Sequence, residues 1–387
     1  MGMMAGHVSI QAIERIVFGV AAETAVLAEA ARYGARRVFV LGTRSLVGLV
    51  DGPFERVVAA LGANCSGSFA AISAHSRRED VIAAAAEARA AASDLLVAIG
   101  GGSVIDAAKA IQLCLWLGLE TADAMDPYFG DAARSPVLPA DPIRMIAVPT
   151  TLSAAEFTST AGINNSHTNS KEMIGHRLFA PRSVILDPAA TLATPEWLLL
   201  STGIRAVDHA AESYCSPLAN PATEPLSLQG LRLLSRALPR IKADPGDLEA
   251  RLEAQFGAWQ AVSAVSAGAG VGASHGIGYV LGGTYGVPHG HTSCVLLPAV
   301  LRWNGAVNGQ RQAALSEAMG AAERPAADLL AGLIATLGLP GSLRAVHIGR
   351  DSLDDIAKRA LGYEPVRVNP KPIRSASDVR EILELAW

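Results

Sequence analysis

The sequence predicts an α/β domain built on a parallel sheet over residues 1–190, followed by an all-helical domain over residues 191–387. Three observations lead there. Val38–Leu41, Asp94–Ile99, Met145–Val148 and Ser183–Leu186 are short runs of mostly apolar residues, as expected of strands buried on both faces. Turns and helically spaced stretches separate them, and that alternation marks a parallel α/β layer. Beyond Thr194-Pro195 strand-like runs stop, and Ala- and Leu-rich helical stretches continue to the C-terminus.

In chain order, Arg15-Ile-Val-Phe-Gly19 reads as a short strand leaving a turn, and residues 22–33 as a helix with Leu27 and Ala31 on one side. After Val38–Leu41, Gly42, Thr43 and Arg44 form a strand-to-helix turn. Many dinucleotide folds place an acid there to hold the adenosine ribose hydroxyls; this chain offers Thr43 and Arg44 and no carboxylate, and a mere connecting loop fits as well. An Ala-rich helix, 79–92, leads to the next strand, which ends in Gly100-Gly101-Gly102-Ser103. Asp106 and a strong helix former follow. Ser103 is suited to cap that helix and Asp106 to return the bond. Three glycines at a helix N-terminus let backbone amides approach an anion such as a pyrophosphate. The spacing is not GxGxxG, and a plain turn is the alternative.

Met145–Val148 closes on Pro149, Thr150, Thr151, Leu152 and Ser153. Their hydroxyls and amides point chemistry toward the carboxyl end of the sheet, unless the segment is only a polar loop with an ST-turn. Lys171 is a further basic candidate before the strand Ser183–Leu186, which Asp187-Pro188 ends. Helical stretches then fall at 196–216, 224–239, 246–267, 270–281, 311–320, 325–336 and 376–385. In the first of them Arg205, His209 and Glu212 lie at i, i+4 and i+7, one polar stripe beside Ala206, Ala210 and Ala211. A solvated face explains such a stripe without chemistry. Residues 275–291 concentrate three of the nine histidines, His275, His289 and His291. His275 and Tyr279 share a helical face, the Gly282-Gly283 pair is expected to end that helix, and Pro288 sets His289 on a tight connection. His291 and His75 are weaker candidates, each better read as structural or surface.

Composition narrows the class. The chain has 387 residues, 18 % charged, with a net charge of −4 and no basic patch, which speaks against nucleic acid. Four cysteines, Cys65, Cys114, Cys215 and Cys294, form no CxxC pair, as expected of a reduced cytoplasmic protein. No signal peptide is expected, and the apolar stretch Ile111–Leu119 is too short to span a bilayer.

Together these residues resemble the iron-containing (group III) alcohol dehydrogenase family and, within it, the maleylacetate reductases. The motifs run the length of the chain: Arg15–Gly19, the Gly100–Asp106 loop, Pro149–Ser153, Leu281–Thr284 into Pro288-His289, Asn369–Ile373, and the ending Leu385-Ala-Trp387. The resemblance implies a dehydroquinate synthase-like architecture, with a dinucleotide-binding domain, a helical catalytic domain and the active site in the cleft between them. It implies NADH or NADPH as cofactor, held by the Gly100–Asp106 loop at the pyrophosphate and by Thr150–Ser153. It also implies a homodimer, a cytoplasmic place in aromatic-compound catabolism, and no nucleic-acid or membrane partner.

The family's metal is held by an Asp and three His. The His positions fall on His209, His275 and His289, the Asp position falls on Arg205, and a further family His falls on Tyr279. An Arg stays charged, with a pKa above about 12, and repels a dication. A metal is therefore expected to be absent, as the maleylacetate reductase resemblance also implies. The expected activity is NAD(P)H-dependent reduction of a small carboxylated, unsaturated keto acid. Arg205 would stabilise the developing enolate, with Tyr279, His209, His275 or His289 as proton donor. The rivals are an alcohol or carbonyl dehydrogenase on the same fold and a non-catalytic nucleotide-binding descendant.

Overall fold

Alternation within the apolar runs shows how the first part of the chain is built. In the computed structural model, which describes residues 7–130, 133–168 and 170–387, strands β1 (Arg15–Phe18), β2 (Val38–Leu41), β3 (Cys65–Phe69), β4 (Leu95–Gly100), β5 (Arg144–Pro149) and β8 (Ser183–Leu186) form one sheet. Its order is β1-β8-β5-β4-β2-β3, and every pairing is parallel. Val38, Val40, Leu95, Val97, Ile99, Ile146 and Val148 enter the core on one face, under α1 (Ala22–Arg32) and α2 (Pro53–Leu61). Phe39, Leu41, Leu96, Ala98 and Met145 enter the other, under α3 (Arg78–Ala90) and α4 (Gly102–Leu117). Both faces of the central strands are covered, so their positions are mostly apolar. Burying a side chain such as Leu96 contributes on the order of 2 kcal/mol.

Helix α1 buries Ala22, Ala25, Val26, Glu29 and Ala30, while Leu27 faces outward at 37 % exposure. Leu27 and Ala31 do share one side of the helix, and it is the exposed one. Glu29 is inside because it has partners: it accepts from Ser183 Oγ at 2.6 Å and pairs with Arg15 at 3.1 Å. An antiparallel hairpin, β6 (Thr160–Asn165) with β7 (Ser170–Gly175), packs Ala161, Ile163 and Ile174 onto the α3–α4 face. The sequence reading contained neither this hairpin nor β3 nor α2.

The chain divides into two compact units, Gln11–Thr194 and a second comprising Pro195–Trp387 with residues 7–10. The second unit is helical: α5 (Glu196–Cys215), α6 (Glu224–Ala243), α7 (Leu248–Ala264), α8 (Ala273–Tyr285), α9 (His289–Ala318), α10 (Ala326–Thr336), α11 (Leu353–Ala360), α12 (Glu364–Arg367) and α13 (Ala376–Leu385). One turn of π-helix, Val265–Ala269, leads from α7 toward α8. Ile277, Val280 and Leu281 of α8 join Val295, Leu296 and Val300 of α9, and Leu353, Ile356, Val379 and Ile382, in one core.

Two expectations fail here. Helix α8 runs through Gly282 and Gly283 and stops only at Gly286, which takes the left-handed conformation (φ 69°) that glycine accepts without cost. And α4 begins at Gly102 without a side-chain cap, because Ser103 and Asp106 bind other groups described below. The Ser/Asp capping box is realised instead at α13, by Ser375 and Asp378.

Helices α6 and α7 approach so closely at Gly230 that a Cβ there would lie 2.8 Å from Ala261 N and 2.9 Å from Gly257 O. Around Gly283 there is nothing within 4 Å. Gly230→Ala is therefore expected to lower the urea midpoint, since overpacking costs about 1–3 kcal/mol and outweighs a propensity gain of about 1 kcal/mol. Gly283→Ala should raise it by up to about 1 kcal/mol. Destabilisation by Gly283→Ala would mean that α8 does not continue through that position.

Candidate active site

The carboxyl ends of β2, β4 and β5 lie side by side, with Leu41 opposite Ala98 and Gly100 opposite Pro149. The turn at Thr43, the glycine loop and the Thr150–Ser153 loop therefore leave the sheet along one edge, where α/β sheets bind ligands. Thr150 N donates to Gly100 O at 3.0 Å, and Thr194 Oγ1 to Thr150 O at 2.7 Å. A Cβ at Gly101 would lie 2.9 Å from Thr151 Cγ2, and one at Gly102 would lie 3.1 Å from Ser153 Oγ. These glycines are small so that the two loops can touch. The N-terminus of α4, with no acid in its first turn, presents the positive end of its dipole there.

Ser103 Oγ accepts from His75 N at 3.1 Å, and Ser76 Oγ donates to Ser103 O at 2.6 Å. The loop after β3 is thus fastened to the start of α4. Burial, and Lys171 nearby, hold the His75 imidazole below its ordinary pKa. Asp106 accepts from Gly162 N at 3.1 Å, joining α4 to the hairpin. Lys109, three residues on, is fully buried and donates to Ala155 O, Thr158 Oγ1 and Thr160 O at 2.7–2.9 Å. Thr43 bonds Ser45 at 2.8 Å, while Arg44 and Lys171 are exposed.

In the helical unit, Arg205, His209 and Glu212 on α5 do not form a solvated stripe. His209 is 9 % exposed and Glu212 5 %. Glu212 accepts from the backbone N–H of Gly272 (2.7 Å), Ser274 (2.7 Å) and His275 (3.3 Å), the free amides at the start of α8. Its fourth partner, His275 Nδ1 at 2.8 Å, must then be a donor, which leaves the lone pair on Nε2. That Nε2 and His209 Nδ1 are buried without a hydrogen-bond partner. The two imidazoles lie 4.9 Å apart, tilted by 30°, and Tyr279 meets His275 edge-on at 6.4 Å. The ring of His289, at the start of α9, packs against Gly282. His291 stands apart, against Trp197 at 5.7 Å.

Arg205 is 13 % exposed at its side chain and donates to Ser293 Oγ at 3.0 Å, with Asp208 Oδ2 3.9 Å away. Asp208 is wholly buried and accepts from Ser274 Oγ at 2.8 Å. The sequence reading assigned no role to Asp208, Glu212, Ser274 or Ser293. The legible signal was a carboxylate one turn after Arg205 and another one turn after Asp208, in a helix otherwise rich in alanine.

Burial, helped by Arg205, pushes His275 down to about 3, and burial takes His209 well below the ordinary imidazole value. Burial raises Asp208 to about 6 and raises Glu212 to about 7 against its three backbone donors. It also raises the Tyr279 phenol, so Tyr279 keeps its proton at neutral pH while both imidazoles are neutral. Asp208, Glu212 and His275 offer oxygen and nitrogen atoms within 4.8 Å of one another, the spacing of a metal site. Glu212 and His275 Nδ1, however, already bond each other, and Glu212 also caps α8.

Residues 14–188 match the family model for iron-containing alcohol dehydrogenase, and residues 199–387 match the C-terminal part of the Fe-containing alcohol dehydrogenase family. The chain is 31 % identical over 375 residues to a maleylacetate reductase of Burkholderia cepacia, covering 97 % of this chain and 96 % of the relative. It is 32 % identical over 372 residues to dehydrogenase ALT3 of Alternaria alternata, covering 87 % and 96 %. The crystal structure of maleylacetate reductase from Agrobacterium tumefaciens superposes with a TM-score of 0.84 at 29 % identity, over 99 % of both chains.

The depressed imidazoles carry a pH signature. His275 sits at about 3 in the folded chain against an ordinary 6.5. As pH falls below 6.5 the unfolded chain therefore binds the proton first, and stability present above 6.5 is lost. The raised Asp208 and Glu212 act oppositely, losing stability as pH rises through about 6 and 7. A difference measurement isolates the imidazole: the stability gap between parent and His275→Gln should shrink as urea midpoints are followed from pH 7.5 down to 4.5. A gap constant over that range would contradict a neutral, buried His275.

Proposed function

The chain belongs to the iron-containing alcohol dehydrogenase family, and from that premise we propose that it reduces a small, carboxylated, unsaturated keto acid of the maleylacetate type without a metal. It is an NAD(P)-dependent oxidoreductase; the dinucleotide, when bound, supplies the hydride. The observation that carries the proposal is Arg205, a mostly buried cation where the family has a metal-ligating carboxylate. A dication there would lie beside a charge that cannot be removed. The nearby carboxylates do not compensate: Glu212 is committed to the amides of α8, and Asp208 to Ser274 and Arg205. The residues present do not fit the family's metal.

In this reading Arg205 balances the negative charge that develops as the substrate becomes an enolate. Its planar fork also recognises a carboxylate, which a metal-free alcohol pocket would not require. The proton comes from Tyr279, because His209 and His275 are held neutral by burial and Tyr279 retains its hydroxyl proton. The glycine loop and the start of α4 receive the dinucleotide phosphates, and Thr150, Thr151 and Ser153 line the same edge. Two orphaned nitrogens, His275 Nε2 and His209 Nδ1, favour a second reading, a carbonyl or alcohol dehydrogenase holding a metal on its histidines.

Experiment separates the two. The purified protein should carry well under one transition-metal ion per chain and should reduce maleylacetate unaffected by chelator. Arg205→Lys keeps the charge but loses the fork, and should cost roughly ten- to hundredfold in kcat/KM, about 1.4–2.7 kcal/mol. Arg205→Ala should cost more. Arg205→Asp rebuilds an Asp with three His and should gain zinc or iron affinity. Stoichiometric metal lost together with activity, or parental kcat/KM in Arg205→Ala, would overturn the proposal.

At the cofactor end, the turn after β2 carries Thr43 and the exposed Arg44 and no acid to repel a 2′-phosphate. NADPH should therefore be used within about tenfold of NADH, a discrimination on the order of 1 kcal/mol. A thousandfold preference for NADH would show that another group reads the ribose.

A further inference from the structure

We infer that Ser293 and Asp208 are positioning residues that decide which edge of the Arg205 guanidinium meets the substrate. The inference rests on the reading of Arg205 as the anion-holding group and adds how that group is aimed. Arg205 Nη1 donates to Ser293 Oγ, 3.0 Å away on α9, and lies 3.9 Å from Asp208 Oδ2, one turn further along α5. Asp208 Oδ2 is steadied by Ser274 Oγ at 2.8 Å. Ser293, Asp208 and Ser274 are all 0 % exposed, so the partners of Arg205 are fixed by packing on three helices.

The geometry restricts the guanidinium in two ways. The single bond to Ser293 engages Nη1 and leaves the Nε–Nη2 edge, with its two parallel N–H bonds, for a ligand. Asp208 balances the charge from a distance too long for a forked pair, so it steadies the cation without filling the fork. The ligand chemistry that matches the remaining edge is a planar carboxylate gripped side-on. A spherical anion or a lone carbonyl oxygen would have to take both donors at one atom, and neither N–H bond would then be as linear as to two carboxylate oxygens. The substrate class is thereby narrowed to molecules that present a carboxylate to Arg205 while their unsaturated carbon receives hydride.

The test is a double-mutant cycle in steady-state kinetics with NADH and maleylacetate, residual activities being followed at high enzyme concentration. Ser293→Ala should lower kcat/KM for maleylacetate about tenfold, leave the KM for NADH unchanged and be rescued by Ser293→Thr. Asp208→Asn, which keeps the shape, should also lower kcat/KM for maleylacetate. In an Arg205→Ala background neither substitution should cause further loss, because both act through the guanidinium. Equal losses with and without Arg205 would make both roles structural and overturn the inference. If Arg205→Ala is crippled while Ser293→Ala and Asp208→Asn match the parent, the proposed function stands and this inference falls. If Arg205→Ala itself keeps parental kcat/KM, the proposed function fails and takes the inference with it.

Discussion

One carboxylate holds the helical unit's chemistry in place. Glu212 leaves α5 and accepts three backbone N–H groups at the start of α8 together with His275 Nδ1. Hydrogen bonds to a charged group contribute about 1.5–3 kcal/mol each, and a buried donor left unpaired costs about as much. Remove the carboxylate and α8 loses its cap, His275 its tautomer, and Tyr279, one turn further, its anchor. The position of Glu212 inside the unit also explains why α5 cannot turn its Arg205–His209–Glu212 stripe to water.

The same burial sets the protonation states. An imidazole sealed between α5 and α8 beside a guanidinium does not become charged at neutral pH. Positive charge in this cluster is therefore concentrated on Arg205. In the proposed function that concentration makes the metal and the guanidinium alternatives, since two neighbouring cations in a poorly hydrated site repel strongly. Ser293 and Ser274 then matter more than their size suggests, because their hydroxyls are hydrogen-bond partners of Arg205 and Asp208.

Much of the fold was legible because its signals are local. Strands β2, β4, β5 and β8 are mostly apolar runs, since helices cover both faces of the sheet. Strand β3, Cys-Ser-Gly-Ser-Phe, lies at the sheet's edge and has only partial cover, so no apolar run announces it. The β6–β7 hairpin is equally polar in sequence because it only rests on the α3–α4 core. Helix α9 was read only over its end, within 311–320, and its first part was hidden for the opposite reason. From Thr292 to Leu301 it is buried on every side, so it shows no amphipathic stripe, and Pro298 and Gly290 argue locally against a helix. Ser103 and Asp106 had the spacing of a capping box, yet His75, Ser76 and Gly162 bind them, and all three are distant in sequence.

Through the family resemblance the sequence offered Arg205, His209, His275, Tyr279 and His289 as candidates; by itself it determined the parallel α/β layer, the helical second half and the glycine loop at a strand's carboxyl end. Each depends on hydrophobic period or on residue type at a fixed spacing, which neighbouring residues carry. Only the tertiary structure decided that Glu212 caps α8, that Ser293 accepts from Arg205 with Asp208 nearby, and that His209 and His275 are too buried to become charged. Those outcomes depend on which helices meet and on how much water remains between them. Asp208 reads in the chain as one more polar residue on a helix; in the fold it is at zero exposure, 3.9 Å from a guanidinium.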